Sequence, residues 1–336
     1  MNLEILKIFE KACSNISLTK QECIKLLSLD DTSQEAIIMR GLASDIVRKR
    51  TNNSGVLFAQ IGLECSPCSG NCVFCSFAKQ YTAFPAMKLD DETIAANTKM
   101  FTGSDELHGL WLMTMADYDL NHYLHCINVV KNNVVGSTKL FTNVGDTSYE
   151  AFCEMKAAGI DGVYHCWRLG EGRDTSIDPE RRKQTAYNAK KAGLEFLDAL
   201  EPIGTEHTIE EMAEHIFWSR EMETYQYGAM SRVPVPGTPF ENTTMLSPMR
   251  LSTIVAAIVL TFAGSKHMPW MGVHEPTLHG YLSGANLITA ESGINPRDTV
   301  TDTENHRGWS ITRCKSTLKD AGYKYITRGD GSLVEL

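Results

Sequence analysis

The chain has 336 residues, is 43% hydrophobic and carries a net charge of −9. Its longest apolar stretch, Ile254–Ala263, falls short of the roughly 20 residues a membrane helix needs. No basic run exceeds VRKR at 47–50, so neither a membrane nor nucleic acid is the expected partner, and a small charged metabolite fits better.

The opening MNLEILKIFEKA reads as an amphipathic helix and lacks the apolar core and cleavage site of an export signal, so a cytoplasmic setting is expected. Ser17-Leu-Thr-Lys ahead of Cys23, Ile24, Leu26 and Leu27 predicts a short capped helix. Thr32–Arg50 carries Ile37, Met39, Leu42, Ile46 and Val47 at helical spacing. These are expected to be packing helices (1–52) at the bottom or side of the main body. The first strand is predicted over Val56–Leu63.

Directly after it, GLECSPCSGNCVFCSFAK (62–79) places Cys65, Cys68, Cys72 and Cys75 close together. In a long chain of this kind, clustered cysteines are metal ligands or redox groups more often than disulfides. Cys68, Cys72 and Cys75, separated by three and then two residues, can hold three irons of a cubane cluster. The fourth iron is then open to a small molecule. All four cysteines could instead form one zinc knuckle, and a zinc-stabilised, non-catalytic binding barrel is the alternative of another class.

Beyond the loop, helix and strand patterns alternate. Helices are predicted over 90–101, 121–131, 149–158, 179–192, 209–221, 248–262 and 278–284. Each is followed by a strand, over 109–114, 138–143, 162–169, 194–203, 226–235, 267–273 and 286–291. About eight strands of this type predict a (β/α)8 TIM-type barrel, complete or nearly so, with its chemistry at the C-terminal strand ends. No repeat or linker divides the chain, so one domain is expected: barrel 53–300 and a C-terminal helical cap 301–336.

CSGNCVFC after a strand that opens an α/β barrel resembles the radical S-adenosylmethionine enzymes. The stretches DTSIDPERRKQTAYNAKKAGL (174–194), VPVPGTPF (233–240) and SGANLITAESG (283–293) resemble the subgroup of biotin synthase, methylornithine synthase and the radical maturase of [FeFe]-hydrogenase. The resemblance implies a [4Fe–4S] cluster on Cys68, Cys72 and Cys75 that binds S-adenosylmethionine and cleaves it to a 5′-deoxyadenosyl radical, supplied by a flavodoxin- or ferredoxin-like electron donor. It further implies Phe74 beside the adenine, Arg181 on the cofactor carboxylate, Glu171 or Thr114 on its amine, and Ile203 and Gly204 as backbone shape contacts. Standard biotin synthases carry cysteines on the second, third and fifth strands and an arginine on a late one; the strands GLWLMT, KLFTN and LEFLDALEP and the stretch HMPWMGVHEP lack them. A standard biotin synthase is therefore not expected.

By period-two alternation Tyr164, Cys166 and Arg168 share a face, which would set them beside a substrate. Cys65, Cys166 and Cys314 are candidates for an auxiliary iron–sulfur cluster, with buried thiols as the bland alternative. His274, Glu275 and His279 gather near a strand end, and Arg232 and Arg297 are available for a substrate carboxylate. The leading expectation is sulfur insertion with that auxiliary cluster. The second is carbon-skeleton rearrangement or fragmentation of an amino acid without one, and a homodimer stays open.

Overall fold

The structure, a computed structural model, describes residues 2–299, 302 and 308–336. The first strand, β1 (Ser54–Gly62), is buried along its whole length. It is followed by a small antiparallel pair, β2 (Glu64–Cys65) and β3 (Met87–Lys88), which brackets the cysteine loop. The remaining barrel strands are β4 (Gly109–Met113), β5 (Lys139–Asn143), β6 (Gly162–Tyr164), β7 (Glu195–Leu197) with β8 (Leu200–Ile203), β9 (Gln226–Ser231), β10 (Trp270–His274) and β11 (Leu287–Gly293). All pair in parallel, and β11 returns to β1 from Val56↔Leu287 to Gly62↔Gly293, so the sheet closes into the expected (β/α)8 barrel. Closure removes both sheet edges.

Three N-terminal helices, α1 (Leu3–Cys13), α2 (Lys20–Leu27) and α3 (Gln34–Arg50), precede the barrel. Thr19 caps α2 reciprocally with Glu22. Around the barrel run α4 (Asp91–Thr102), α5 (Leu120–Lys131), α6 (Tyr149–Ala158), α7 (Pro179–Lys191), α8 (Ile209–Glu221), α9 (Pro248–Phe262) and α10 (Leu278–Tyr281). Every residue of α9 from Leu251 to Phe262 is buried. A helix apolar on all sides must be covered on all sides, and α1, α2, α3 and α10 cover the flank that β9 and β10 do not. The N-terminal helices thus exist to bury α9. No helix among the described residues is long and apolar enough to cross a membrane.

Three strands are shorter than their sequences predict, among them β9, which stops at Ser231 rather than at 235. The strand expected over 162–169 stops at Tyr164, where the chain leaves the sheet. The one expected over 194–203 breaks at Asp198 and Ala199 into β7, paired with β6, and β8, paired with β9 through a register shift. The C-terminal segment contains α11 (Ile311–Asp320) but also β12 (Tyr325–Thr327) and β13 (Leu333–Glu335), so the cap is not purely helical. β12 adds to the start of β1. The carbonyls of Thr327 and Arg328 then meet His108 Nδ1 at 3.1 and 3.0 Å, closing the barrel bottom. The expected boundary at 300–301 lies outside the described residues.

The inner floor is aromatic. Phe58 packs on Trp111 (4.6 Å between ring centroids) and on Phe141 (5.5 Å). Gly109 lets them meet, since a Cβ there would come within 2.5 Å of Phe141.

Candidate active site

The cysteine loop is tied into the barrel mouth by its own backbone. Cys68 N donates to Phe77 O (2.8 Å), Val73 N to Asp174 O (2.9 Å) and Ser76 N to Pro296 O (2.9 Å). Amides also point at sulfur, Gly70 N toward Cys68 Sγ and Phe77 N toward Cys75 Sγ, each at 3.4 Å. Such donors stabilise thiolate and tune a bound cluster. Burial pushes the Cys72 thiol up to about 11 and Cys75 higher still, so a bound cation is what would make thiolate the favoured form at neutral pH.

Ligand spacing separates zinc from a cluster. Tetrahedral zinc draws its sulfurs to about 3.8 Å from one another. Among the described residues no three of these thiols lie mutually within 4.8 Å, a wider spacing than a closed zinc knuckle has. All three open onto one cavity of ≈ 230 Å³ inside the barrel mouth.

The cavity walls carry paired charges. Glu201, from β8, accepts from Tyr164 Oη (2.7 Å) and meets Arg168 Nε at 3.2 Å. Arg182, from α7, reaches Asp146 (3.2 Å) and Glu171 (3.4 Å). Arg232 is held bidentately by Glu206 and lies over the Phe240 ring. Arg297 bridges Glu291 (2.8 Å), Glu275 (2.5 Å) and His274 Nδ1 (2.7 Å). Buried charges persist only when paired in this way. The result is a chamber that meets a ligand's charges with fixed partners.

Most of the predicted residues converge here. Phe74, Thr114, Tyr164, Cys166, Arg168, Arg232, His274 and Arg297 line the cavity with the three cysteines. Several do not. Arg181 points to solvent, its side chain 72% exposed, whereas Arg182 is 6% exposed and enters the cavity; adjacent residues on a helix face directions about 100° apart, so DPERR brings in its second arginine. The Glu171 side chain is fully buried but spent on Arg168 N, Thr175 and Arg182, which makes it a support for the wall. Ile203 belongs to the core outside the barrel, and Gly204 packs against the Arg232–Glu206 pair. Glu275 stands behind the lining, on Arg297, and His279 is exposed on α10.

The three auxiliary-cluster candidates are scattered. Cys166 faces the cavity, Cys65 sits beneath the cysteine loop with its thiol on Pro85 O (3.4 Å), and Cys314 is buried between α11 and the barrel's outer surface. Nor do they share a site with one another. Asp174, Glu206 and His207 bring ligand atoms within 4.8 Å at the rim. There, however, Gly204 N donates to His207 Nδ1 (2.9 Å), so Nε2 carries the proton of the neutral ring and offers no lone pair.

The residues missed from sequence are Glu201, Glu291 and Arg182. The first two carried a signal, a single carboxylate within an otherwise apolar strand (LEPI and LITAESG), since an unpaired acid is rarely buried without a task.

No protein-family profile matches the chain. Its sequence is similar to biotin synthase of Acetivibrio thermocellus, 27% identical over 227 residues that cover 64% of this chain and 69% of the relative. It is also similar to biotin synthase of Clostridioides difficile, 24% identical over 315 residues covering 88% and 96%. Among solved structures, methylornithine synthase (PylB) shares the fold with a TM-score of 0.77 at 16% identity, over 94% of this chain and 95% of that one. The [FeFe]-hydrogenase maturase HydG of Carboxydothermus hydrogenoformans does so with a TM-score of 0.76 at 15% identity, over 96% and 79%. The cysteine loop, the barrel and these relatives place the chain in the radical S-adenosylmethionine superfamily. The sequence relatives within that superfamily are biotin synthases, and methylornithine synthase and the hydrogenase maturase share the fold.

Proposed function

We propose that the chain is a radical enzyme that abstracts hydrogen from an unactivated carbon of a small carboxylate-bearing substrate, and that rearrangement or fragmentation of that substrate follows. When bound on Cys68, Cys72 and Cys75, a [4Fe–4S] cluster supplies the electron that cleaves S-adenosylmethionine to methionine and a 5′-deoxyadenosyl radical. The observation that carries this reading is the opening of that cysteine trio onto one cavity in the barrel mouth, where Arg168, Arg182, Arg232 and Arg297 each face a carboxylate.

The chain's own residues have separable tasks. Phe74 and Thr114, on the cluster side, are placed to hold the cofactor, and Arg182 takes the carboxylate role expected of Arg181. Arg232, opposite, is placed for the substrate carboxylate. Tyr164, Glu201 and Arg168 hold one another in the wall. Burial, then Cys166 and Glu201, keep the Tyr164 phenol protonated, so it presents a neutral hydrogen-bonding group. Aromatic packing at the floor excludes water, which protects a radical from quenching.

Sulfur insertion is the second reading, favoured by the names of the sequence relatives. Against it stands the dispersal of Cys65, Cys166 and Cys314, since a sulfur-donating cluster needs several ligands in one chamber. Iron and sulfide content after anaerobic reconstitution discriminates: about four irons per chain supports rearrangement, and about eight would sink it in favour of sulfur insertion.

A further inference from the structure

Cys166 is left without a task once the cluster trio is assigned. The chain leaves the sheet after Tyr164, and the segment that follows runs alongside β7 and β8, with His165 N donating to Leu197 O (3.1 Å) and Leu169 N to Glu201 O (2.8 Å). This path brings Cys166 to the wall of the cavity that Cys68, Cys72 and Cys75 also line. It is 1% exposed and forms no disulfide.

Its surroundings keep the hydrogen on sulfur. Tyr164 Oη gives its own proton to Glu201 (2.7 Å), so toward the thiol it is an acceptor. Asp198, 2% exposed, accepts from Ser219 Oγ with one carboxyl oxygen, and its other oxygen, otherwise unpartnered, is open to the thiol. Burial, then the carboxylates of Glu201 and Asp198, push the thiol well above its ordinary value; Arg168, itself paired with Glu201, does not offset them. A metal ligand or a nucleophile has to be a thiolate, and this group is a thiol. Its S–H bond is weaker than an aliphatic C–H bond, so a carbon radical beside it takes the hydrogen atom.

We propose that Cys166 is the hydrogen-atom donor of the chamber, ending each turnover by quenching the carbon radical that rearrangement or fragmentation leaves on the substrate. The S–H bond breaks, a C–H bond forms, and a thiyl radical stays on Cys166. One electron from the class of low-potential donor that reduces the cluster, and one proton from the Asp198 carboxyl, restore the thiol. S-adenosylmethionine is then consumed with each product, because the hydrogen taken by the 5′-deoxyadenosyl radical is not returned. Tyr164 positions the thiol. The proposal rests on reading the cavity as the chamber of a radical enzyme.

The step needs only a carbon radical, so the 5′-deoxyadenosyl radical itself serves as the probe. Reconstituted protein, given S-adenosylmethionine and dithionite in thiol-free D2O without substrate, is expected to release 5′-deoxyadenosine one mass unit heavier, the deuterium coming from S–D. Cys166→Ser and Cys166→Ala are both expected to release it unlabelled, since a hydroxyl O–D bond is too strong to give up its deuterium. Tyr164→Phe is expected to keep the label. Before any cluster is loaded, the infrared S–H stretch found by difference between wild type and Cys166→Ser is expected to persist at about pH 10, where an ordinary thiol of pKa ~8.5 is ionised. It is also expected to shift in Asp198→Asn. Unlabelled 5′-deoxyadenosine from wild type, a label that survives in both Cys166 variants or disappears in Tyr164→Phe, or a stretch that is absent at neutral pH or unmoved in Asp198→Asn overturns the proposal alone. A wild type that releases no 5′-deoxyadenosine overturns the radical-enzyme reading, and the proposal with it.

Discussion

Arg181 and Arg182 are neighbours with opposite fates, and replacing each with alanine exposes the difference. The Arg182 side chain is 6% exposed and lies 3.2 Å from Asp146 and 3.4 Å from Glu171, whose own side chain is fully buried. Removing one member of a buried ion pair strands the other, which costs about 3–5 kcal/mol. Here two carboxylates lose their partner, so Arg182→Ala should destabilise by at least about 3 kcal/mol. Arg181, 72% exposed and 3.7 Å from Asp146, is worth no more than ~1 kcal/mol. Denaturant midpoints of the two variants, measured side by side, provide the comparison. The acid limb offers a second readout. Burial alone would raise the Asp146 carboxyl, but the His165 hydrogen bond and Arg182 outweigh it and hold the group low. A depressed folded-state value contributes stability above the unfolded-state value and loses it as pH falls through the folded one. Without Arg182, acid unfolding should begin at higher pH. Similar midpoints for the two alanine variants, or an unchanged acid limb in Arg182→Ala, would refute the assignment of Arg182 to the cavity wall.

Other consequences can be checked by similar means. Burial raises Asp198 from 3.8 to about 7, and one of its carboxyl oxygens has no partner; a raised carboxyl loses stability as pH climbs between these values, so Asp198→Asn should flatten the stability profile across that window and be the more stable protein at pH 8. Gly109→Ala forces a methyl to within 2.5 Å of Phe141 and 2.6 Å of Phe58, and thermal melts should show a loss of about 1–3 kcal/mol from overpacking. Single alanine replacements of Cys65, Cys166 and Cys314 should each leave iron content unchanged, since the three are apart; a halved iron content in any one of them restores it to an auxiliary site.

Much of the fold is legible in the sequence because helix ends are marked locally. Ser148 and Gly159 bound α6 over the predicted residues, and Pro248 opens α9 as expected. The strand ends are not so marked. Residues 162–169 and 194–203 look like single strands because apolar and aromatic residues recur along both, on either side of the point where the backbone turns. Only tertiary pairing shows that the chain leaves the sheet after Tyr164 to carry Cys166 and Arg168 into the mouth, or that it breaks at Asp198. The cysteine trio is legible from spacing alone, since thiolate ligation fixes a short loop. Arg182 is not, because choosing between adjacent arginines needs the rotation of α7, and α7 has only a narrow apolar face formed by Thr185, Ala186 and Ala189 to set it. Glu201 was hidden for a related reason: its partners, Tyr164 and Arg168, come from a different strand and its following loop.

The central claim is that Cys68, Cys72 and Cys75 hold a cluster that cleaves S-adenosylmethionine. Anaerobically reconstituted wild type and a Cys72→Ala variant, each given S-adenosylmethionine and dithionite, test it directly through the 5′-deoxyadenosine they release. Wild type is predicted to form 5′-deoxyadenosine and methionine in equal amounts, and Cys72→Ala to form neither. Cleavage that persists in the variant, or a wild type that binds zinc without sulfide and yields no 5′-deoxyadenosine, would contradict it.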